Sequence, residues 1–132
     1  MNKAIAQYRK LDVQTVVDSA SPHQLIEMLI QGACARMKQA KGCIQHGDIE
    51  GRSRAINATL DILSGLQASL DHERGGDLSA NLDALYDYMQ RRLFRASLEN
   101  DAAGLDEVID LMRTLKDAWA AIASDLPEVA HA

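Results

Sequence analysis

Pro22 and Pro127 are the only prolines in this chain, so the long stretch between them lacks the residue that most reliably ends a helix. Its weak points are His46-Gly47-Asp48, Gly75-Gly76-Asp77 and Asn100-Asp101. Between them apolar residues recur at three- and four-residue steps, the spacing of a helix face. Helix one is predicted from Pro22 to about Gln45, with Leu25, Leu29, Ala33, Met37, Ala40 and Ile44 on the core side. Its start carries nearly every local signal: Ser21 as N-cap, Pro22 at the first helical position, and Gln24 placed to reach back to the cap. Gly47 suits a left-handed C-cap. Asp48 is predicted to cap helix two, which reaches about Asp71 and buries Ile49, Ile56, Leu60, Leu63, Leu66 and Leu70. Asp77 is predicted to cap helix three, with Leu78, Leu82, Leu85, Met89, Leu93 and Ala96 inward. Asn100 or Asp101 caps helix four, with Leu105, Val108, Met112, Leu115, Trp119 and Ile122 inward.

Four helices of roughly 35 Å each, joined by short loops, must run antiparallel to their neighbours. The predicted fold is all-α, an antiparallel up-down-up-down four-helix bundle over residues 21–126. An N-terminal arm or short cap helix precedes it over 1–20, and a flexible tail follows over 127–132. At 132 residues the chain reads as one domain. Hydrophobic residues make up 47% and aromatic residues only 4%, so the core must be aliphatic. Tyr86 and Trp119 are predicted to join it, and Tyr88 to hydrogen-bond at its rim.

A net charge of −5 argues against nucleic acid or an anionic membrane as partner. Arg91, Arg92 and Arg95 form the one basic cluster, read as a solvated helix surface. Cys34 and Cys43 lie on one helix about 13 Å apart, too far for a disulfide between them. Two free thiols fit a reducing cytoplasm. The first ten residues contain charge and no apolar core region, so no signal peptide is expected. No run of 18 apolar residues is present to insert in a membrane.

The reactive uses of a four-helix bundle find no support. A di-metal carboxylate site needs paired Glu-x-x-His motifs, and the single one, Glu128 to His131, lies in the tail. Histidine phosphotransfer needs an exposed mid-helix His. His23 is in a first turn, His131 in the tail, and His46 and His72 are read as helix-end residues favoured by a C-terminal dipole. No catalytic residue, cofactor or metal ligand is therefore expected. A phosphotransfer or metal-binding bundle is the disfavoured alternative, and a helical adaptor for another helical client the nearer one.

What remains is surplus apolar surface. On helix two a second row, Ala58, Ile62, Gly65 and Ser69, lies beside the core stripe. Small residues around one isoleucine make either a trough for another helix or a tight contact with a bundle neighbour. On helix three, Phe94 and Leu98 project away from the Leu82-Met89-Leu93 stripe, on the side shared by Ala80 and Ala84. Such an i,i+4 pair is the usual form of a helix-contact surface.

Two segments, ASPHQLIEML from Ala20 and LDHERGGDLSANLDALYDYMQRRL from Leu70, resemble the flagellin-specific export chaperones of bacterial flagellar secretion, the FliS family. The resemblance runs from about Tyr8 to about Trp119. It implies a cytoplasmic, non-enzymatic bundle that binds the C-terminal segment of flagellin in apolar grooves. That would block premature polymerisation and assist delivery to the flagellar type III export gate. It also implies that Ile5 and Tyr8 of the arm take part, although Arg9, Lys10 and Asp12 make this arm more charged than a docked segment. The candidate partner-binding residues are thus Ile5, Tyr8, Ala58, Ile62, Gly65, Phe94 and Leu98, on a monomer or weak homodimer.

Overall fold

The structure is a computed structural model and describes residues 21–122. Within them lie four helices: α1 (Pro22–Gln45), α2 (Ile49–Ala68), α3 (His72–Glu99) and α4 (Ala102–Ile122). Helix α1 packs on α2 and α4, and α3 packs on the same two. The helices therefore close into the antiparallel bundle that the short connections demand. The arm and tail lie outside the described residues.

Local chemistry sets the helix ends. The Ser21 hydroxyl accepts from the Gln24 N–H at 3.1 Å, and the Gln24 side chain accepts from the Ser21 N–H at 2.9 Å. This is the complete capping box. Gly47 takes φ +70° after the His46 C-cap, a conformation glycine adopts without strain. Asp48 accepts from the Gly51 N–H at 2.9 Å and caps α2. Asn100 closes α3 in the left-handed region, and Asp101 accepts from the Ala103 N–H at 3.1 Å to open α4.

Helix α3 departs from expectation at its start. Asp71, not Asp77, caps it, accepting from the Arg74 N–H. One helical turn then precedes a kink at Gly76, where φ +51° and ψ −122° are non-helical. The Ser79 hydroxyl donates to the Asp71 carbonyl across this kink at 2.9 Å. The double glycine redirects the helix instead of preceding it. His72 consequently opens α3, so the C-terminal dipole rationale does not apply to it.

The core is a ladder of fully buried aliphatics: Ile30, Met37, Leu63, Leu66, Met89, Leu93, Leu105 and Met112, with Tyr86 beside them. The predicted α1 phase is off by one residue in its first turns. Ile26 and Ile30 are buried, whereas Leu25 is half-buried and Leu29 is exposed. Ile49 and Leu78, predicted inward, are also exposed. Ile49 is the first residue of α2, and Leu78 follows the Gly76 kink, so each lies near the end of its helix. Leu60, Leu85 and Leu115 pack against the core while half-buried.

Gly51 supplies a test of the α2 start. A Cβ there would lie 2.3 Å from the Asp48 carboxylate and 2.8 Å from Cys43 Sγ. Helix propensity alone favours alanine by about 1 kcal/mol. Displacing the capping carboxylate costs about 1 kcal/mol, and the clash with the thiol adds to it. Gly51→Ala is therefore expected to lower the thermal midpoint despite its propensity gain, and a raised midpoint would show that Asp48 is free to move.

Candidate functional site

Among the described residues two apolar surfaces of candidate interest lie outside the core, and each arises from helix geometry. On α2, residues 58, 62, 65 and 69 recur at three- and four-residue steps and so share one face. Ala58 and Ile62 are half-buried, while Gly65 and Ser69 are exposed. The opposing bank belongs to α1. A Cβ built on Gly32 would meet Ile62 Cδ1 at 3.8 Å, which places Gly32 across the seam from this row. Leu25, Met28 and Leu29 share the Gly32 face at i−7, i−4 and i−3, with Met28 36% and Leu29 42% exposed.

The seam is open. A Cβ on Gly65 would meet nothing within 4 Å. The small residue at 65 therefore does not serve close approach by a bundle neighbour, one of the two readings its row allowed. Farther along, the seam turns polar at a cavity of about 450 Å³ lined by Arg36, Cys43, His46, Asp48 and Arg54, among others. Sequence reasoning found the α2 bank and missed the α1 bank. The reason is the doublet pattern: Leu25-Ile26 and Leu29-Ile30 offer two phases one residue apart. His23, which shares the Ile26 phase, is buried with it in the structure.

The second surface is on α3. Phe94 is 58% and Leu98 72% exposed, as their projection off the core stripe predicts. Ala80 and Ala84 are exposed with them. The neighbouring arginines divide. Arg91 and Arg95 are solvated and pair within the helix, with Asp87 at 3.0 Å and Glu99 at 3.8 Å. Arg92 departs from the solvated reading: it is half-buried and bridges Asp101 at 3.2 Å and Glu107 at 3.0 Å. The Tyr88 hydroxyl donates to Glu107 as well. The Tyr88 hydroxyl and the Arg92 guanidinium hold the Glu107 carboxyl below its usual range, and Arg92 does the same, with backbone N–H groups, for Asp101. Hydrogen bonding to Glu107 raises Tyr88 in turn. This cluster clasps α3 to α4.

A further clasp joins the ends of α1 and α4. His23 is buried and stacks on Trp119, with ring centroids 4.9 Å apart and planes within 6°. His23 Nε2 donates to the Trp119 carbonyl at 2.7 Å, and Trp119 Nε1 donates to the His23 carbonyl at 3.0 Å. The role of His23 is thus structural. Burial pushes the Cys34 thiol up, with Lys116, Arg113 and Lys38 pulling the other way. A buried thiol of that kind is a poor nucleophile.

The fold and its open seam place the chain among small four-helix bundles that keep apolar surface outside the core. Its sequence matches the family described as flagellar protein FliS over residues 4–126, and the chain belongs to that family. It is 43% identical over 116 residues to the flagellar secretion chaperone FliS of Salmonella typhimurium, covering 87% of this chain and 86% of that protein. Identity to the flagellar secretion chaperone FliSB of Pseudomonas aeruginosa is 41% over 117 residues, covering 89% and 93% of the two chains. The FliS of Bacillus subtilis is 34% identical over 106 residues, covering 80% and 78%. The family suggested by the two quoted segments is therefore the family of the chain.

Proposed function

We propose that the protein is a cytoplasmic flagellar export chaperone whose client is the C-terminal segment of flagellin. The client is held as helices over the α1–α2 seam and the Phe94-Leu98 face, kept from polymerising, and passed to the flagellar type III export gate. The observation that carries this reading is the open seam. Leu25, Met28 and Leu29 on α1 and Ile62 on α2 line it, and Gly65 adds no side chain to its α2 bank and meets no neighbour at Cβ among the described residues. A client that is disordered when free loses entropy on ordering and must bury extensive apolar surface to compensate. A rigid body with a preformed apolar seam supplies that surface at little ordering cost of its own.

Ile5 and Tyr8, outside the described residues, take part from the arm in this reading, and replacing both by alanine weakens client binding without unfolding the bundle. No reaction is assigned to the protein, whose relatives are named chaperones.

Gly65→Leu tests the seam directly. Leucine favours the helix by somewhat under 1 kcal/mol over glycine and meets no neighbour at Cβ, so stability is expected to hold or rise. The side chain fills the seam, so co-purification of flagellin from the same cell is expected to fall sharply. Flagellin lacking its C-terminal segment should be lost from the wild-type protein too. Undiminished capture by Gly65→Leu would remove the seam from the binding surface. Failure of wild-type protein to retain any flagellin would favour a helical adaptor for another client.

A further inference from the structure

We propose that the polar end of the α1–α2 seam holds the free C-terminal carboxylate of the bound client on Arg36 and Arg54, and so fixes the direction in which the client lies. This rests on the chaperone reading and adds to it the chain terminus and its orientation. The first observation is register. Gly32 lies across the seam from Ile62, and a Cβ on Gly51 would meet Cys43 Sγ at 2.8 Å. Both pairings fit one antiparallel register of α1 against α2, in which Leu29 comes opposite Gly65 and Arg36 opposite Ala58. The α1 bank then runs Leu25, Leu29, Gly32, Arg36 at three- and four-residue steps, one face of a helix. The seam is apolar beside the start of α1 and basic about two turns farther on.

The second observation is the cavity at that basic end. Its volume is about 450 Å³, and Arg36, His46, Asp48 and Arg54 are among its lining residues. Small residues keep it open: a Cβ on Gly42, which also lines it, would meet nothing within 4 Å. Among the described residues its two guanidinium groups are short of anionic partners. Arg36 pairs with no carboxylate and donates to the neutral Gln39 side chain at 3.2 Å. Arg54 reaches Glu50 only at 3.9 Å, with both side chains exposed, a pairing that contributes little. Asp48 is the one carboxylate on the wall, and it already accepts from the Gly51 N–H at 2.9 Å.

Position and polarity select a chain terminus. Helix α1 ends at Gln45 and α2 begins at Ile49, so the seam stops at this turn, and a client chain that continued past the recess would have to leave the groove. A chain that ends there leaves a carboxylate in line with the seam, where the forked guanidinium groups accept it in bidentate geometry. The helix dipole acts in the same sense. The C-terminal end of a helix carries partial negative charge and is favoured beside cations. The reverse orientation would set the positive end of the client helix against two arginines. The client helix therefore lies parallel to α1, with apolar residues on Leu25, Leu29 and Ile62 and its last residue at Arg36 and Arg54.

The test titrates full-length protein by calorimetry with a synthetic peptide of the flagellin C-terminal segment, prepared both as the free acid and as the C-terminal amide. The amide keeps every side chain and removes only the terminal charge. It is expected to bind the wild type about tenfold more weakly than the acid, the scale of a lost charge-assisted hydrogen-bond pair. Arg36→Gln with Arg54→Gln should weaken the acid by a similar factor and leave the amide unchanged, because both changes remove one interaction and are not additive. Circular dichroism melts confirm that the variant folds, and the amide needs no variant at all. Equal affinity of acid and amide for the wild type would overturn this inference and leave the chaperone reading standing. So would an equal loss for both peptides in the variant, which would assign the arginines to side-chain carboxylates of the client. Absence of binding by either peptide to wild-type protein would overturn both.

Discussion

Trp119→Ala is expected to destabilise the bundle by about 3–5 kcal/mol, in the range of buried aromatic truncations. Trp119 is 4% exposed, so its removal leaves a cavity that the surrounding helices cannot fully close. The loss extends beyond burial. The indole N–H bond to the His23 carbonyl disappears, and the stacked imidazole loses its cover. Because these contacts join the first turn of α1 to the last part of α4, the variant should also fray both ends. Urea denaturation gives the free energy, and hydrogen exchange in the first turn of α1 reports the fraying. Trp119→Phe separates the contributions: it keeps a ring to stack on His23 but lacks the N–H donor, so its loss should be markedly smaller. A Trp119→Ala loss below about 1 kcal/mol, the scale of a surface substitution, would mean that this end of the bundle closes without the pair.

Leu63→Ala is expected to cost about 2–5 kcal/mol, because Leu63 is completely buried between the helices. Leu29→Ala serves as its counterpart. The same chemical change at a 42% exposed position should cost less than about 1 kcal/mol. The two variants should exchange rank in client binding. Leu63 faces away from the seam and matters to binding only through folding, whereas Leu29 lines the seam and its truncation removes contact area. Denaturation midpoints and calorimetric affinities for both variants decide the matter. Equal stability losses would mean that α1 buries Leu25 and Leu29 rather than Ile26 and Ile30. A folded Leu29→Ala with unchanged affinity would place the client elsewhere.

The places where sequence reasoning succeeded share a physical character. The Ser21-Gln24 capping box, the Asp48 cap, the left-handed Gly47 and the Asp101 cap of α4 each involve residues within three or four positions of one another. Interactions that local depend on little beyond the residues themselves. The bundle followed from them, since helices of this length with short connections have few ways to cover their apolar stripes. Phe94 and Leu98 were legible off the core for a related reason: each is isolated from the α3 stripe by a wide angle. The α1 phase was not legible, because Leu25-Ile26 and Leu29-Ile30 fit both registers equally well. The choice falls to the neighbours of α1, with His23 meeting Trp119 on α4 and Gly32 meeting Ile62 on α2.

The sequence by itself determined the four helices, the start of α1 and the caps of α2 and α4, their antiparallel order and the family, because caps, glycines and apolar periodicity act over a few residues. Only the tertiary structure decided which flank of α1 faces the core, that Gly76 kinks α3 instead of preceding it, and that Arg92 clasps α4 while Arg91 and Arg95 stay in solvent. It alone placed His23 against Trp119, 96 positions away in the chain. These outcomes depend on side chains from different helices competing for the same interior space, and the linear order of residues does not record that competition.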